Sequence, residues 1–318
     1  MNEVRGDEGK IALTELFSKP LVTGSEVENR ISLEAAMFGQ RQVFAAYDAG
    51  ESVMGARGLI SNQNSTLFAY IARASSNGPA IVKFGSITNS NKDRHLPVVQ
   101  AYLAVLNQET GSLEYFIDGE AVTKLRTPAA SMVAAQLLAN KPNRIVVVGG
   151  GAQGQAHLNA ASKVFNPSEL ALVTRGEFNQ PNIISVEHTL ERDIHLACHN
   201  ADLIFLCTNS FEPVLTHSPM PGATVISIGG FAPVRSEVSV ALLTSGASIY
   251  ADDAQTAYKQ CGSIVDALKT NANLEVTSLG RVINHPEAGR KNELQIIYYF
   301  SVGLGFQDAA IVEQLVGN

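Results

Sequence analysis

Gly149, Gly151 and Gly154 form a G-x-G-x-x-G pattern, and the chemistry of that pattern is the cradling of phosphates. The run Ile145-Val146-Val147-Val148 before them suits a strand buried on both faces of a parallel sheet. The residues after them, Gln155-Ala156-His157-Leu158-Asn159-Ala160-Ala161, are compatible with a helix. Strand, glycine turn and helix in that order are what a dinucleotide needs. Gly149 allows the tight turn, Gly151 lets the backbone approach a pyrophosphate, and Gly154 lets helix and strand pack closely. The helix N-terminus offers free N–H groups and partial positive charge. Ala152 and Gln153 complete the turn and count with it as cofactor-binding positions.

The end of the second strand selects between dinucleotides. A ribose-binding Asp or Glu normally stands there, and its charge repels a 2′-phosphate. Here Thr174 and Arg175 occupy that place, while Glu169 precedes the strand and Glu177 follows the turn. A hydroxyl and a guanidinium suit a 2′-phosphate, so NADP(H) is favoured, with NAD(H) as the alternative.

The elements that must hold this turn alternate along the chain. Strand candidates lie at 145–148, 170–174, 203–207, 224–228 and 247–250, which predicts a Rossmann-type, doubly wound α/β domain with a parallel sheet. Thr208, just past the third of these, is counted among the cofactor positions. The interval 175–188 is short and rich in Asn, Pro and polar residues, so its helix is expected to be reduced or absent. Ala129 to Ala139 is a strong helix former, for which Thr127 suits the N-cap and Pro128 the first helical position. From about 53 to 123 the texture is different. Short β-like runs at 65–72, 80–84, 98–106 and 113–117 predict an antiparallel region, with residues 107–112 as a hairpin loop. Residues 25–50 read as helical with a stop at Gly50, and the tail ends in another helix from Asp308.

Composition bounds the function. The chain has 318 residues, enough for two domains with full cores, and a net charge of −7 without a Lys/Arg cluster. That balance argues against nucleic acid as a partner and leaves room for a local anion pocket. Cys198, Cys207 and Cys261 are few and unpatterned, as in a reducing cytoplasm. Residues 1–10 are too polar and acidic for a signal or transit peptide, and no apolar run reaches the span of a bilayer. His195 and His199 lie four apart with Cys198 between, but nothing supplies further ligands at motif spacing, so no metal is expected.

At Asp118-Gly119-Glu120-Ala121-Val122-Thr123-Lys124-Leu125-Arg126-Thr127-Pro128-Ala129-Ala130-Ser131 the sequence resembles the ornithine cyclodeaminase/mu-crystallin family. The resemblance extends to Ala80-Ile81-Val82-Lys83, the glycine turn, Ala201-Asp202, Ile228-Gly229-Gly230 with Glu237 beyond, and Phe300-Ser301-Val302-Gly303 with Asp308 beyond. It implies an α+β substrate-binding and dimerisation domain over residues 1–127, completed by 297–318, with the dinucleotide domain at 128–296. It also implies a homodimer joined through the N-terminal sheets, and a small imino or amino acid as substrate.

By the same resemblance, Arg57, Lys83 and Arg126 form a carboxylate clamp, with Arg as a planar fork and Lys as a point charge. Lys83 is the most informative, because an unpaired ammonium in an apolar strand is costly. It is also the candidate catalytic proton donor, with a bound water as the alternative. Thr127 and the segment Ser301-Val302-Gly303 are expected to approach the cofactor, while His157, Glu237 and Asp308 are expected to pack or support.

Phe231 departs from the pattern. Ornithine cyclodeaminases carry an aspartate after Ile-Gly-Gly, and a phenyl ring can neither accept a proton nor orient a water. A positioned acid/base contributes about 10²–10⁴-fold, so ornithine cyclodeamination is disfavoured, and an amino-acid dehydrogenase step less strongly so. Reduction of a preformed imine needs fewer groups. The expectation is therefore an NADP(H)-dependent reductase of small carboxylated imines such as Δ1-pyrroline-2-carboxylate or Δ1-piperideine-2-carboxylate. The alternatives are a cyclodeaminase or amino-acid dehydrogenase using NAD(P), and a non-catalytic binding protein of the mu-crystallin kind.

Overall fold

Alternating side chains in the first third of the chain build a sheet with one wet and one dry face. A computed structural model of the protein describes residues 18–175 and 187–317. Strands β1 (Leu21–Val22), β2 (Val53–Met54), β3 (Gly58–Ser61), β4 (Thr66–Arg73), β5 (Ala80–Ile87), β6 (Val99–Leu106) and β7 (Leu113–Asp118) form this sheet. Their order is β1-β7-β6-β5-β4-β2, with β3 also paired to β4. The register puts Tyr70 beside Lys83 and Lys83 beside Leu103. That row points inward together with Ala72, Ile81, Val105 and Ile117, all buried. The alternate row carries Ile71, Phe84 and Tyr102, which stay exposed. The hairpin between β6 and β7 closes on Asn107, whose Oδ1 accepts from the N–H groups of Glu109 and Thr110, while Gly111 takes φ +68°.

The helical stretch 25–50 is two helices, Gly24–Arg30 and Leu33–Asp48. Ser32 separates them by accepting the N–H of Ala35 as an N-cap.

The helix expected to start at Thr127 starts instead at Gly119 and runs to Leu138. Asp118 is its N-cap, with Oδ1 2.9 Å from the N–H nitrogen of Glu120 and 3.1 Å from that of Ala121. Thr127 turns its hydroxyl onto the Thr123 carbonyl at 2.8 Å, and Pro128 sits inside the helix. Proline cannot donate to the Lys124 carbonyl, a loss offset here by burial of every residue from Arg126 to Ala135. This helix crosses from the first sheet to the second.

The second sheet is parallel throughout. Strands β8 (Arg144–Val148), β9 (Glu169–Val173), β10 (Thr189–Glu191), β11 (Leu203–Leu206), β12 (Thr224–Ser227), β13 (Ser248–Ala251), β14 (Thr277–Ser278) and β15 (Ile297–Phe300) run in the order β10-β9-β8-β11-β12-β15-β13-β14. Strands β11, β12 and β15 are buried at every residue, which is why they read as unbroken apolar runs. The order reverses at β8, flanked by β9 on one side and β11 on the other. In such sheets the crevice at the reversal is where a ligand sits. The interval 175–188, where the helix is expected to be reduced or absent, falls mostly outside the described residues, as does Glu177.

Because β15 lies between β12 and β13, the return of the chain to the first sheet begins after Phe300, not at residue 297. The last helix, Gly305–Val316, packs on β4, on helix Leu33–Asp48 and on helix Gly119–Leu138. This carries Asp308 to the inner face of the first sheet. Among the described residues no helix is long and apolar enough to cross a membrane.

Candidate active site

The glycine turn between β8 and helix Ala152–Phe165 has the geometry its residues predict. Gly149 has φ +116°, and a Cβ there would stand 2.4 Å from the Cys207 carbonyl oxygen. A Cβ on Gly154 would stand 1.7 Å from the Gly149 carbonyl oxygen. Both positions exclude any side chain. Gly151 differs: a Cβ would meet nothing within 4 Å, and as N-cap it leaves the helix without a side-chain cap. Open space in front of uncapped N–H groups, beside Ala152 and Gln153, fits a pyrophosphate.

Thr174 and Arg175 follow β9 at the expected place, and Arg175 is exposed. The sequence reading missed Arg192, whose Nη1 donates to the Thr174 carbonyl at 3.3 Å and adds a second guanidinium to that edge. It comes from the end of β10, whose pairing with β9 is invisible in a linear reading.

Across the crevice, Thr208 is held by Glu237. This carboxylate is fully buried and accepts from Thr208 N at 2.6 Å, Thr208 Oγ1 at 2.7 Å, Ser227 Oγ at 2.7 Å and Gly229 N at 2.7 Å. Burial pushes its pKa up against the pull of these hydrogen bonds. Glu237 thus ties together the loops that follow β11 and β12, with the Thr208 hydroxyl hydrogen directed at Glu237.

The three expected cations converge. Lys83, 3% exposed, places Nζ 2.6 Å from Asp308 Oδ1. Arg126 Nε lies 3.7 Å from the same oxygen, and its Nη1 donates to Gln307 Oε1 at 2.9 Å. Tyr70 donates to the other Asp308 oxygen at 2.7 Å. Arg57 stacks over the Tyr70 ring at 5.5 Å and donates to the carbonyls of Val302 and Gly303. Arg126 Nε and Gln307 Nε2 are buried without a hydrogen-bond acceptor. Three cations against one carboxylate, with orphaned donors, make a seat for an anion.

The electrostatics of the pair follow from burial and neighbours. Burial lowers the pKa of Lys83, as do Arg126 and Arg57, and Asp308 only partly restores it. Burial would raise Asp308, but Lys83 and Arg126 outweigh it and hold the carboxylate below its usual range. An ammonium with a depressed pKa beside an ionised carboxylate is suited to giving up a proton. Tyr70, raised well above its ordinary value by burial and by Asp308, stays protonated.

The segment Ser301-Val302-Gly303 enters from β15 and links the two halves of the site. The N–H groups of Val302 and Gly303 each reach Asp252 Oδ2 at 2.9 Å, and Ser301 Oγ reaches it at 3.2 Å. Gly303, with φ +75°, lies so close that a Cβ would stand 2.9 Å from Arg126 Nη2.

Tyr70, Gln307 and Asp252 were not singled out in sequence, and Asp308, expected only to pack or support, is the direct partner of Lys83. Thr127, expected near the cofactor, is buried with its hydroxyl on the Thr123 carbonyl.

Phe231 shares Arg235 with Phe211, the guanidinium carbon lying 5.1 Å and 5.0 Å from the two ring centres. His157 is fully buried. Its Nδ1 donates to the Gln153 carbonyl at 2.7 Å and its Nε2 accepts from Ser131 Oγ at 2.9 Å, so it supports the turn. His195 pairs with His217, not with His199, their Nδ1 atoms 3.0 Å apart.

A model of the family described as ornithine cyclodeaminase/mu-crystallin matches residues 19–318. The chain is 28% identical to an alanine dehydrogenase of Archaeoglobus fulgidus over 94% of each chain. It is 22% identical to a Delta(1)-pyrroline-2-carboxylate reductase of Bacillus cereus, over 94% of this chain and 98% of the relative. The fold is that of the Thermococcus litoralis Delta(1)-pyrroline-2-carboxylate reductase in complex with NADH and L-proline. The TM-score is 0.87 and the identity 21%, over 94% of this chain and 96% of that one.

Proposed function

The chain belongs to the ornithine cyclodeaminase/mu-crystallin family, and on that premise we propose that it is an NADP(H)-dependent reductase of small carboxylated imines. Δ1-Pyrroline-2-carboxylate and Δ1-piperideine-2-carboxylate are the leading substrates. The observation that carries this reading is the Lys83–Asp308 pair at 2.6 Å, set among Arg57, Arg126 and Tyr70. It joins an anion seat to a proton source.

Gly149, Gly151, Ala152, Gln153 and Gly154 would hold the pyrophosphate, Thr174 and Arg175 the 2′-phosphate, and Thr208 with Ser301–Gly303 the nicotinamide end. A reduced nicotinamide bound there supplies the two electrons and one hydrogen that imine reduction needs. The chain's own residues do the rest. Arg126 and Arg57 fix the substrate carboxylate, so that the imine carbon has a single orientation. Lys83 Nζ gives its proton to the imine nitrogen, and Asp308 holds Nζ in place while it does so. Burial of the pair excludes bulk water and strengthens each of these interactions.

Supporting the reductase is the relative named as a pyrroline-2-carboxylate reductase, together with Phe231 at the place of the cyclodeaminase aspartate. The NADP(H) preference rests on Arg175 and on the lack of an acidic residue at the end of β9; the Thermococcus enzyme was solved with NADH, so both cofactors belong in the assay. The exposed apolar row Ile71, Phe84 and Tyr102 supports a homodimer that covers this face. The free thiols of Cys198, Cys207 and Cys261 suit a reducing cytoplasm.

The test is a spectrophotometric screen of NADPH and NADH oxidation against cyclic and linear imino acids, beside ammonia release from ornithine and lysine. Ornithine-dependent ammonia release without imine reduction would overturn the reading. The relative named as an alanine dehydrogenase favours one second reading, reductive amination of pyruvate. Oxidation of NAD(P)H that requires both pyruvate and ammonia would select it. Cofactor binding with no turnover of any of these compounds would instead select a binding protein.

A further inference from the structure

We propose that Asp252 is a positioning residue: from the end of β13 it fixes the Ser301–Gly303 turn, and through that turn it sets the carboxylate-binding cations Arg57 and Arg126 against the cofactor domain. The inference rests on the reading of the site as a carboxylate-binding reductase and assigns a role to a residue that touches neither ligand.

The geometry is a relay of short contacts. One oxygen, Asp252 Oδ2, receives the N–H groups of Val302 and Gly303 at 2.9 Å each and the Ser301 hydroxyl at 3.2 Å. Two successive N–H groups aimed at one carboxylate oxygen pin the peptide between them, and with it the direction of the following carbonyls. Those carbonyls, of Val302 and Gly303, are the acceptors of the Arg57 guanidinium. Gly303 also rests against Arg126, since a Cβ there would stand 2.9 Å from Nη2 and 3.3 Å from Nη1. The positive φ of Gly303 is thus kept for two reasons, the turn itself and the guanidinium beside it. Asp252 directly follows β13 of the second sheet, while Arg57 and the start of the Arg126 helix belong to the first unit. The turn is therefore where the substrate seat is registered to the cofactor site.

Asp252 Oδ1 in turn takes the N–H of Asp253 at 3.0 Å, so a proton on either oxygen competes with a donor, and only the ionised carboxylate accepts all four. The carboxyl is buried, and burial raises its pKa to about 6 against the hydrogen bonds of Gly303, Asp253 and Val302. Its titratable neighbours are Asp253 on the same segment, Tyr299 on β15, Cys261 ahead of helix Gly262–Thr270, and Tyr47 on helix Leu33–Asp48. None of these four is a cation, so nothing among them favours the charged form as Lys83 does for Asp308.

Two measurements test the proposal. With an imine substrate, the wild type should raise its KM about tenfold as pH falls from 7 to 5, with the inflection near 6 and kcat changing less. Asp252→Asn, which presents an amide where the carboxylate accepted, should have that raised KM at every pH and show no inflection. Asp252→Glu should recover part of the pH dependence. The second measurement needs no turnover: fluorescence titration of NADPH and NADH across the same range, where wild-type affinity should weaken below pH 6 and that of Asp252→Asn should be flat. The proposal is overturned by a KM and cofactor affinity in Asp252→Asn that match wild type and keep its pH dependence. A pure kcat loss with unchanged KM overturns it as well. If the wild type reduces no imine, the reductase reading fails while the cofactor titration still decides the role of Asp252. The wild-type profiles decide it also if Asp252→Asn does not fold.

Discussion

Lys83 Nζ and Asp308 Oδ1 stand 2.6 Å apart although 225 residues separate them in the chain. The contact closes the last helix onto the inner face of the first sheet, so that helix is joined to β5 at the proposed reacting site and not merely at the surface. Removing Asp308 leaves the Lys83 ammonium buried without a counter-charge, which typically costs about 3–5 kcal/mol. Asp308→Asn is expected to lower stability on that scale in urea denaturation, and Lys83→Met by less, because Arg126 and Tyr70 still face Asp308. The double variant Lys83→Met with Asp308→Asn should lose less than the sum. Additive losses would mean that the two groups are not coupled.

In the proposed mechanism the same pair carries the chemistry. Lys83→Met should reduce turnover at saturating substrate by about 10²–10⁴-fold, the usual contribution of a positioned acid. Loss confined to KM would leave Lys83 as a carboxylate anchor and move the proton to a bound water.

What could be read from sequence, and what could not, divides along the range of the interactions. Gly149 and Gly154 are legible because the constraint on each is local: Gly149 takes φ +116°, and its carbonyl oxygen fills the space a Cβ on Gly154 would need. Lys83 is legible as a charge in an apolar strand, but its partner is not, because Asp308 lies on a helix whose turn signals say nothing about β5. Asp252 and Tyr70 fall in the same class, each defined by the residues it meets across sheets. Thr127-Pro128 shows a local rule failing for a physical reason. It has the form of a helix start, yet Asp118 already caps that helix, and packing on both flanks keeps the proline inside it. The Phe84 face is legible as alternation, but which row stays uncovered depends on where the last helix returns.

Arg175 follows β9 where a 2′-phosphate would lie, with Arg192 approaching the same edge through the Thr174 carbonyl. Arg175→Ala should weaken NADPH binding about 10–100-fold, the worth of one charge-assisted hydrogen bond, and leave NADH nearly unchanged. Fluorescence titration with both cofactors reads this directly. Equal losses for the two would argue that Arg175 acts on the fold of the edge and not on the phosphate.

Ile71 at 57% and Phe84 at 40% exposed are neighbours on the uncovered face of the first sheet, with Tyr102 packed against Phe84 at a ring distance of 5.8 Å. If a second copy covers this face, Phe84→Glu and Ile71→Glu should each weaken the dimer by about 30-fold or more, as buried anchors do. Sedimentation velocity over a concentration series would show it. A wild type that sediments as a monomer at all concentrations would remove the homodimer altogether.

His157 gives the fold a pH dependence of defined sign. Burial lowers its pKa from 6.5 to about 4; the Gln153 carbonyl opposes the shift and Arg126 adds to it, so the folded protein holds the ring neutral. The unfolded chain takes up a proton below its ordinary pKa of about 6.5. The stability tied to this residue is therefore complete above pH 6.5 and is lost as pH falls toward 4. The loss is about 2 kcal/mol at pH 5 and roughly 3 kcal/mol in full. Asp252 works in the opposite direction, because a carboxyl raised to about 6 stabilises the fold as pH falls through that value. The two are separated by variants and not by the wild-type curve alone. His157→Gln should be less stable than wild type at pH 7 and should close that gap by about 2 kcal/mol at pH 5, measured by urea denaturation at both pH values. A gap of the same size at pH 7 and pH 5 would mean that the ring is charged, or accessible to protons, in the folded state.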